Sequence, residues 1–105
     1  MGQDSEKIQE LQALEQNLQT LSLQRQAFTF EISESEHALQ ELKNSQGDVY
    51  KIVGQVMVLK GRDELAQDLE RKLKLLNLRM KAIESQEKEL LEKSESLRDE
   101  FSRVK

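Results

Sequence analysis

The stretch GDVYKIVGQVMVLKG, residues 47–61, decides the fold of this chain. β-Branched and aromatic residues are enriched in it, which is typical of β-strands. The Gly54-Gln55 pair near its middle suits a tight turn, because glycine readily adopts the positive φ that such a turn needs. The stretch therefore predicts one short antiparallel hairpin over residues 48–60.

The predicted hairpin is apolar on both faces. Pairing across the turn aligns Ile52 with Met57 and Tyr50 with Leu59 on one face, and Val53 with Val56 and Lys51 with Val58 on the other. An isolated two-stranded hairpin is marginal in water and has two open edges. We therefore expect an oligomerisation surface made of Val49, Tyr50, Ile52, Val53, Val56, Met57, Val58 and Leu59. Alternatively, the hairpin covers the end of its own helices, although that would bury only one face.

A helix is predicted before the hairpin, over residues 4–45, with Asp4 or Ser5 as its cap and a stop at Asn44, Ser45 and Gly47. Its apolar residues recur at steps of three and four, as the a and d positions of a coiled coil do. Only Arg25 and Ser35 interrupt this seam, which consists of Leu11, Leu14, Leu18, Leu21, Phe28, Ile32, Leu39 and Leu42.

A second helix is predicted after the hairpin, over residues 62–104, with Asp63 as its candidate cap. Its seam is interrupted by Glu87 and Ser94 and consists of Ala66, Leu69, Leu73, Leu76, Met80, Ile83, Leu90, Leu97, Phe101 and Val104. Further leucines widen the apolar face and suggest that this helix touches more than one neighbour. They are Leu65, Leu75, Leu78 and Leu91.

The two helices have equal predicted lengths of about 60 Å, at a rise of about 1.5 Å per residue. We therefore expect a mainly α fold in which they pair as a long antiparallel coiled coil, within one domain spanning residues 1–105. In the antiparallel register, Leu11 lies near Leu97, Leu18 near Leu90, Phe28 near Met80, Ile32 near Leu76, and Leu39 near Leu69.

The charged residues of the seams become neighbours in this register. Arg25 would lie one layer from Glu87, and we hypothesise that the two form a polar layer that fixes the alignment. An equally good interpretation is that each long side chain reaches past the seam to water.

Composition argues against several classes of partner. The formal net charge is −4, and acidic and basic residues alternate along the chain instead of forming a basic stripe. Binding to nucleic acid or to an anionic membrane is therefore not expected. No apolar run approaches the roughly 20 residues of a membrane-spanning helix, and the N-terminus does not look like a secretory signal. We expect a cytoplasmic protein. The absence of cysteine is compatible with that compartment and excludes thiolate metal sites.

Catalysis is not expected. His37 is the sole histidine, lies at an outward position of the first helix, and has no facing nucleophile or metal-ligand cluster. No glycine-rich phosphate loop is present. We therefore predict no catalytic residue, no metal site and no cofactor.

Two heptad-bearing helices flank a segment that contains Val49, Tyr50, Lys51, Ile52, Val53 and Gly54, followed by Val56, Met57 and Val58. In these helices and the segment between them, the chain resembles the β-type subunit of prefoldin. The resemblance covers nearly the whole chain and is closest to archaeal members, to which the stretch containing Arg79, Ile83, Glu84, Gln86, Glu87 and Leu90 is also similar. The α type carries two hairpins, whereas this chain has room for one.

The resemblance implies a hexamer of two α-type and four β-type subunits, whose hairpins join in an intersubunit β-barrel. The coiled-coil tips of the hexamer would hold non-native proteins without ATP and pass them to a group II chaperonin. Mapped onto this sequence, the client-binding tips are Ile8, Leu11, Leu14, Leu97, Phe101 and Val104, with Ile8 and Val104 the stronger candidates. Two alternatives remain at this point: a coiled-coil adaptor that binds a folded partner, and a homo-oligomer without an α-type partner.

Overall fold

A computed structural model describes the backbone of residues 2–104 and the side chains of residues 5–103. Helix α1 spans Gly2–Asn44, strand β1 spans Val49–Val53, strand β2 spans Val56–Lys60 and helix α2 spans Arg62–Val104. The predicted fold class, mainly α with one central antiparallel hairpin, is therefore confirmed. The chain divides into two compact units, one formed by residues up to Ala27 and from Met80 onward, the other by Phe28–Arg79.

The first unit pairs the beginning of α1 with the end of α2. Every described seam residue that the sequence singled out here is buried or half-buried, with Leu14 and Ile83 among the most buried. The pattern also continues one step back to Lys7, whose Nζ lies 2.9 Å from Oε2 of Glu100. Further ion pairs join Glu15 to Arg98 and Arg25 to Glu87, so residue numbers rise along α1 as they fall along α2 and the two helical segments are antiparallel within the unit.

The second unit contains the end of α1, the hairpin and the beginning of α2. Its seam residues are again buried or half-buried, and Leu42 and Leu76 are the least exposed apolar side chains. Leu42 lines a shared cleft with Leu65 and Leu69. The same 3.6-residue periodicity that buries one side of each helix leaves the other side in solvent.

The helix ends differ from the predicted caps. Because α1 begins at Gly2, Ser5 is inside the helix and the predicted cap at Asp4 or Ser5 is wrong; the Asp4 side chain lies outside the described residues. The cap at Asp63 is also wrong, because Leu65 N donates to Gly61 O at 3.0 Å and Gly61 thus precedes the first turn. Asp63 lies within that turn, where a carboxylate favours the positive end of the helix dipole.

The predicted stop of α1 is confirmed. Ser45 N donates to Glu41 O at 2.9 Å, and Ser45 Oγ donates to Leu42 O at 3.3 Å, so carbonyls of the last turn have partners. Gly47 then adopts a φ of +95°, a conformation that side chains other than glycine rarely tolerate. The chain can therefore leave the helix and enter β1 within four residues.

Candidate functional site

The hairpin has the register that the sequence predicted. Tyr50 pairs with Leu59, Lys51 with Val58, Ile52 with Met57, and Val53 with Val56. Gly54 has a φ of +63°, and no residue other than glycine has a positive φ in the described part of the chain. Because only the first turn residue has positive φ, the turn matches type II′, which suits the right-handed twist of a two-stranded ribbon.

The hairpin exposes apolar side chains on both faces. Of the eight residues predicted to form an oligomerisation surface, only Val49 is half-buried. The exposed fractions of the other seven range from 42% for Val58 to 69% for Ile52: Tyr50, Ile52, Val53, Val56, Met57, Val58 and Leu59. A contiguous apolar surface of this kind is unusual on a monomer.

Two polar contacts hold the hairpin against the beginning of α2. Lys60 Nζ, at the end of β2, donates to Asp68 Oδ2 at 3.1 Å, and Glu64 Oε1 lies 3.5 Å from the same ammonium. Arg62 Nη2 donates to Gly47 O at 2.8 Å, while its buried Nε has no partner. The two contacts tie both ends of the hairpin to α2.

The Lys60–Asp68 contact also shifts both pKa values. The hydrogen bond from Lys60 is the largest effect and lowers the pKa of Asp68. Desolvation, the next largest, opposes it, and the nearby positive charges act in the same direction as the hydrogen bond. The hydrogen bond to Asp68, with its charge, raises the pKa of Lys60. Both groups are therefore held in their charged forms.

The beginning of β1 also lies beside the helices. Val49, Tyr50 and Lys51 line a cleft together with Leu42 and Leu69 of the helix ends. This contact leaves the exposed residues listed above in solvent, so covering the ends of its own helices does not bury the apolar faces of the hairpin.

The predicted client-binding residues differ in exposure. Ile8 is 47% exposed, whereas Leu14 is only 8% exposed and belongs to the packed seam. Leu11, Leu97 and Phe101 are half-buried. The side chain of Val104 lies outside the described residues. Of the six, Ile8 is thus the described residue with apolar surface to offer without disturbing the helix pairing.

The seam also contains the predicted polar contact. Arg25 Nε donates to Glu87 Oε1 at 2.8 Å, and both side chains are half-buried. Sequence reasoning placed these residues one layer apart, and the reach of the guanidinium closes that gap. A more exposed pair, Arg98 Nη2 and Glu15 Oε1 at 2.6 Å, crosses between the same two helices.

Sequence reasoning missed the contacts at Lys60 and Lys7. A signal for the first exists, because Glu64 and Asp68 follow Lys60 at intervals of four residues and so lie on one side of α2. A signal for the contact at Lys7 also exists, because Lys7 lies four residues before Leu11 and so continues the seam toward the N-terminus.

The described residues contain no group of three or more histidine, cysteine or acidic side chains placed to hold a metal ion. His37 is exposed. Within the described part of the chain, neither helix has an apolar stretch of the length needed to cross a membrane.

Comparison with known proteins agrees with this architecture. The family model described as prefoldin subunit matches residues 5–104. The prefoldin subunit beta of Thermococcus kodakarensis is 36% identical over 90 residues, covering 84% of this chain and 77% of the relative. That of Methanospirillum hungatei is 33% identical over 96 residues, covering 90% and 80%.

A solved structure gives the same answer. The crystal structure of the prefoldin beta subunit from Thermococcus strain KS-1 superposes with a TM-score of 0.90 at 30% identity, covering 99% of this chain and 93% of that one. The chain therefore belongs to the prefoldin family. The resemblance to β-type subunits of archaea, drawn above from the hairpin and its flanking helices, is confirmed.

Proposed function

We propose that this chain is a subunit of an ATP-independent holding chaperone in the cytoplasm that binds non-native proteins and transfers them to a group II chaperonin. The proposed role of the chain involves no enzymatic activity. The observation that carries the proposal is the hairpin of a prefoldin-family chain, whose apolar side chains are exposed on both faces. Such a surface is explained if subunits are joined there, in a hexamer of two α-type and four β-type subunits.

The chain ends are the proposed client-binding region. Ile8 exposes apolar surface there, and Leu11, Leu97 and Phe101 are half-buried in the same unit. Full burial of one such side chain contributes about 1.5 to 3 kcal/mol, so partial burial of several gives weak contacts. Several subunits acting together would turn weak contacts into useful avidity.

A light-scattering assay tests client binding. The chain, assembled with an α-type prefoldin subunit, is expected to suppress aggregation of an unfolding client protein. Ile8→Ser should weaken the suppression because it removes exposed apolar surface without opening the seam. Leu91→Ser is a matched control, because Leu91 is 48% exposed in the same unit but is not among the predicted client-binding residues.

The assay also separates the chaperone from the alternative of a structural adaptor. An adaptor that binds one folded partner would leave aggregation of the client unchanged. Equal effects of Ile8→Ser and Leu91→Ser would contradict the assignment of Ile8 to client binding. Removal of residues 1–14 and 97–105, with assembly retained and holding lost, would separate the two activities.

Assembly through the hairpin is tested independently. Ile52→Lys and Val56→Lys place a charge on each of the two apolar faces, and native mass measurement should then show smaller species than the unmodified chain. Lys51→Glu, at an exposed position that already carries a charge, is the control. A stable monomer of the unmodified chain with the α-type subunit present would contradict the proposed assembly.

A further inference from the structure

Within the second unit, one segment of α1 and one segment of α2 carry charges of opposite sign, although charge alternates over the chain as a whole. From residue 28 to residue 42, α1 carries four glutamates and no lysine or arginine: Glu31, Glu34, Glu36 and Glu41. From residue 71 to residue 79, α2 carries four basic residues and no aspartate or glutamate: Arg71, Lys72, Lys74 and Arg79. Of these eight residues, only Arg71 has an oppositely charged side chain within 4 Å in the described structure, namely Asp68.

Each of these charged surfaces also exposes large apolar side chains. On α2, Leu75 is 50% and Leu78 is 65% exposed, and Lys74 and Arg79 lie beside them on the sequence. On α1, Phe30 is 64% exposed and shares its side of the helix with Glu34, His37 and Glu41. We call these surfaces the basic α2 face (Arg71, Lys72, Lys74, Leu75, Leu78, Arg79) and the acidic α1 face (Phe30, Glu34, His37, Glu41).

Apart from the ion pair between Arg71 and Asp68, neither face takes part in the contacts described above. The seam residues Ile32, Leu39, Leu73 and Leu76 lie on the opposite sides of their helices. The hairpin is held at Asp68 and Gly47, outside both faces. Leucines at outward positions of a coiled coil gain nothing from pairing with their own partner helix, so any burial of these side chains has to come from another chain.

We propose that the basic α2 face binds the acidic α1 face of a second copy of this chain. Charge complementarity selects this partner, because the opposite charge and a matching aromatic anchor lie on the same molecule. The two faces also share one spacing: Phe30, Glu34, His37 and Glu41 step by four, three and four, and Arg71, Leu75 and Leu78 step by four and three. Ridges of equal spacing on two helices can interdigitate.

The contact is side by side and joins two different faces. It therefore differs from strand pairing between hairpins and leaves the hairpin free for the assembly proposed above. Two short helical faces bury less than the roughly 1,200 Å² of a stable independent interface. The inference thus rests on the proposed function, in which hairpin assembly brings copies close enough for a weak lateral contact to form.

Carbodiimide cross-linking of isotopically mixed chains tests the contact. Equal amounts of ¹⁴N- and ¹⁵N-labelled full-length chain are mixed under denaturing conditions, refolded alone and with an α-type prefoldin subunit, and treated with carbodiimide. Mass spectrometry should find cross-linked peptide pairs in which Lys72 or Lys74 is joined to Glu34 or Glu41. In mixed-label pairs, one peptide carries ¹⁴N and the other ¹⁵N, which shows that the link joins two copies. Links with unmixed labels only, in both preparations, would overturn the proposal.

Charge reversal supplies a second readout. Arg79→Glu and Glu34→Arg each leave the cross-linkable Lys72, Lys74 and Glu41 in place. Each should lower the yield of mixed-label links roughly two- to fivefold, the factor that one exposed ion pair contributes, and the double variant should restore it. Lys93→Glu, an exposed reversal on α2 in the other unit, should leave the yield unchanged.

The outcomes distinguish this inference from the proposed function. Assembly by native mass measurement without mixed-label links would overturn the lateral contact and leave the hairpin assembly intact. A monomer would contradict both. Binding of the basic α2 face to anionic phospholipid vesicles or to acidic clients, with no mixed-label links, would also overturn the proposal, because the occupant would then be different.

Discussion

Arg25 and Glu87 form a 2.8 Å ion pair across the two helices, at seam positions that leucine or isoleucine would otherwise fill. A polar pair in an apolar seam contributes little net stability but penalises alignments that separate its members. The contact between the Arg25 guanidinium and the half-buried Glu87 carboxylate therefore favours the observed antiparallel register. The alternative, in which each side chain extends separately to water, does not describe this structure.

Breaking this pair on one side should destabilise the chain more than removing both members. Arg25→Met leaves the Glu87 carboxylate half-buried without this cation, and we expect a loss of about 1 to 3 kcal/mol in the free energy of unfolding by urea. The double variant with Glu87→Met should recover most of it.

The matched control is Arg98→Met, which breaks the more exposed pair with Glu15 and should cost about 1 kcal/mol or less. If Arg25→Met proves no more destabilising than Arg98→Met, the pair does not fix the register.

Gly54 is the turn residue least able to accept a side chain. A Cβ at this position would meet no atom within 4 Å, so the penalty of Gly54→Ala comes from the backbone φ of +63° alone. We expect a local destabilisation of about 1 to 2 kcal/mol, measured as faster amide hydrogen exchange in β1 and β2.

Gln55→Ala provides the comparison, because Gln55 occupies the same turn without a positive φ. Equal exchange rates in the two variants would show that the turn relaxes to another type.

The Lys60–Asp68 contact predicts a stability plateau that ends at both low and high pH. The lowered pKa of Asp68 means that its contribution is present above the ordinary value of 3.8 and is lost as pH falls through the lower folded-state pKa. The raised pKa of Lys60 means that its contribution is present below 10.5 and is lost as pH rises through the higher folded-state pKa.

Amide exchange or chemical shifts of β2, followed as pH falls below about 4, should show loosening of the hairpin that Asp68→Asn removes. Asp48→Asn, which changes an exposed carboxylate before β1, should preserve the transition. A transition that survives Asp68→Asn would assign it to another carboxylate.

Ser94 is a small polar residue in an apolar seam. It is only 3% exposed. Ser94→Ala should raise the free energy of unfolding by about 1 kcal/mol, because it removes a poorly solvated hydroxyl and improves helix propensity.

Ser96→Ala, two residues along on the exposed surface, isolates the helix-propensity part, about 0.3 to 0.5 kcal/mol. Urea unfolding of both variants checks this. If Ser94→Ala raises the free energy of unfolding no more than Ser96→Ala does, the buried Ser94 hydroxyl does not destabilise the seam.

Sequence periodicity determined much of this molecule. Leu14, Leu42, Leu76 and Ile83 were predicted to lie in the seams and are the buried apolar core, because a repeat of three and four residues has one solution on a helix. The hairpin register followed from Gly54, because the turn length fixes which side chains face each other. The helical repeat and the turn length both depend only on residues close together in the sequence, so the sequence alone determines their outcome.

Tertiary structure decided what depends on groups brought together from a distance. The Lys60–Asp68 and Arg62–Gly47 contacts arise only once β2 returns to the helices. Whether apolar residues of the hairpin, such as Ile52 and Val53, remain in water depends on burial by every neighbouring element, which no local rule determines.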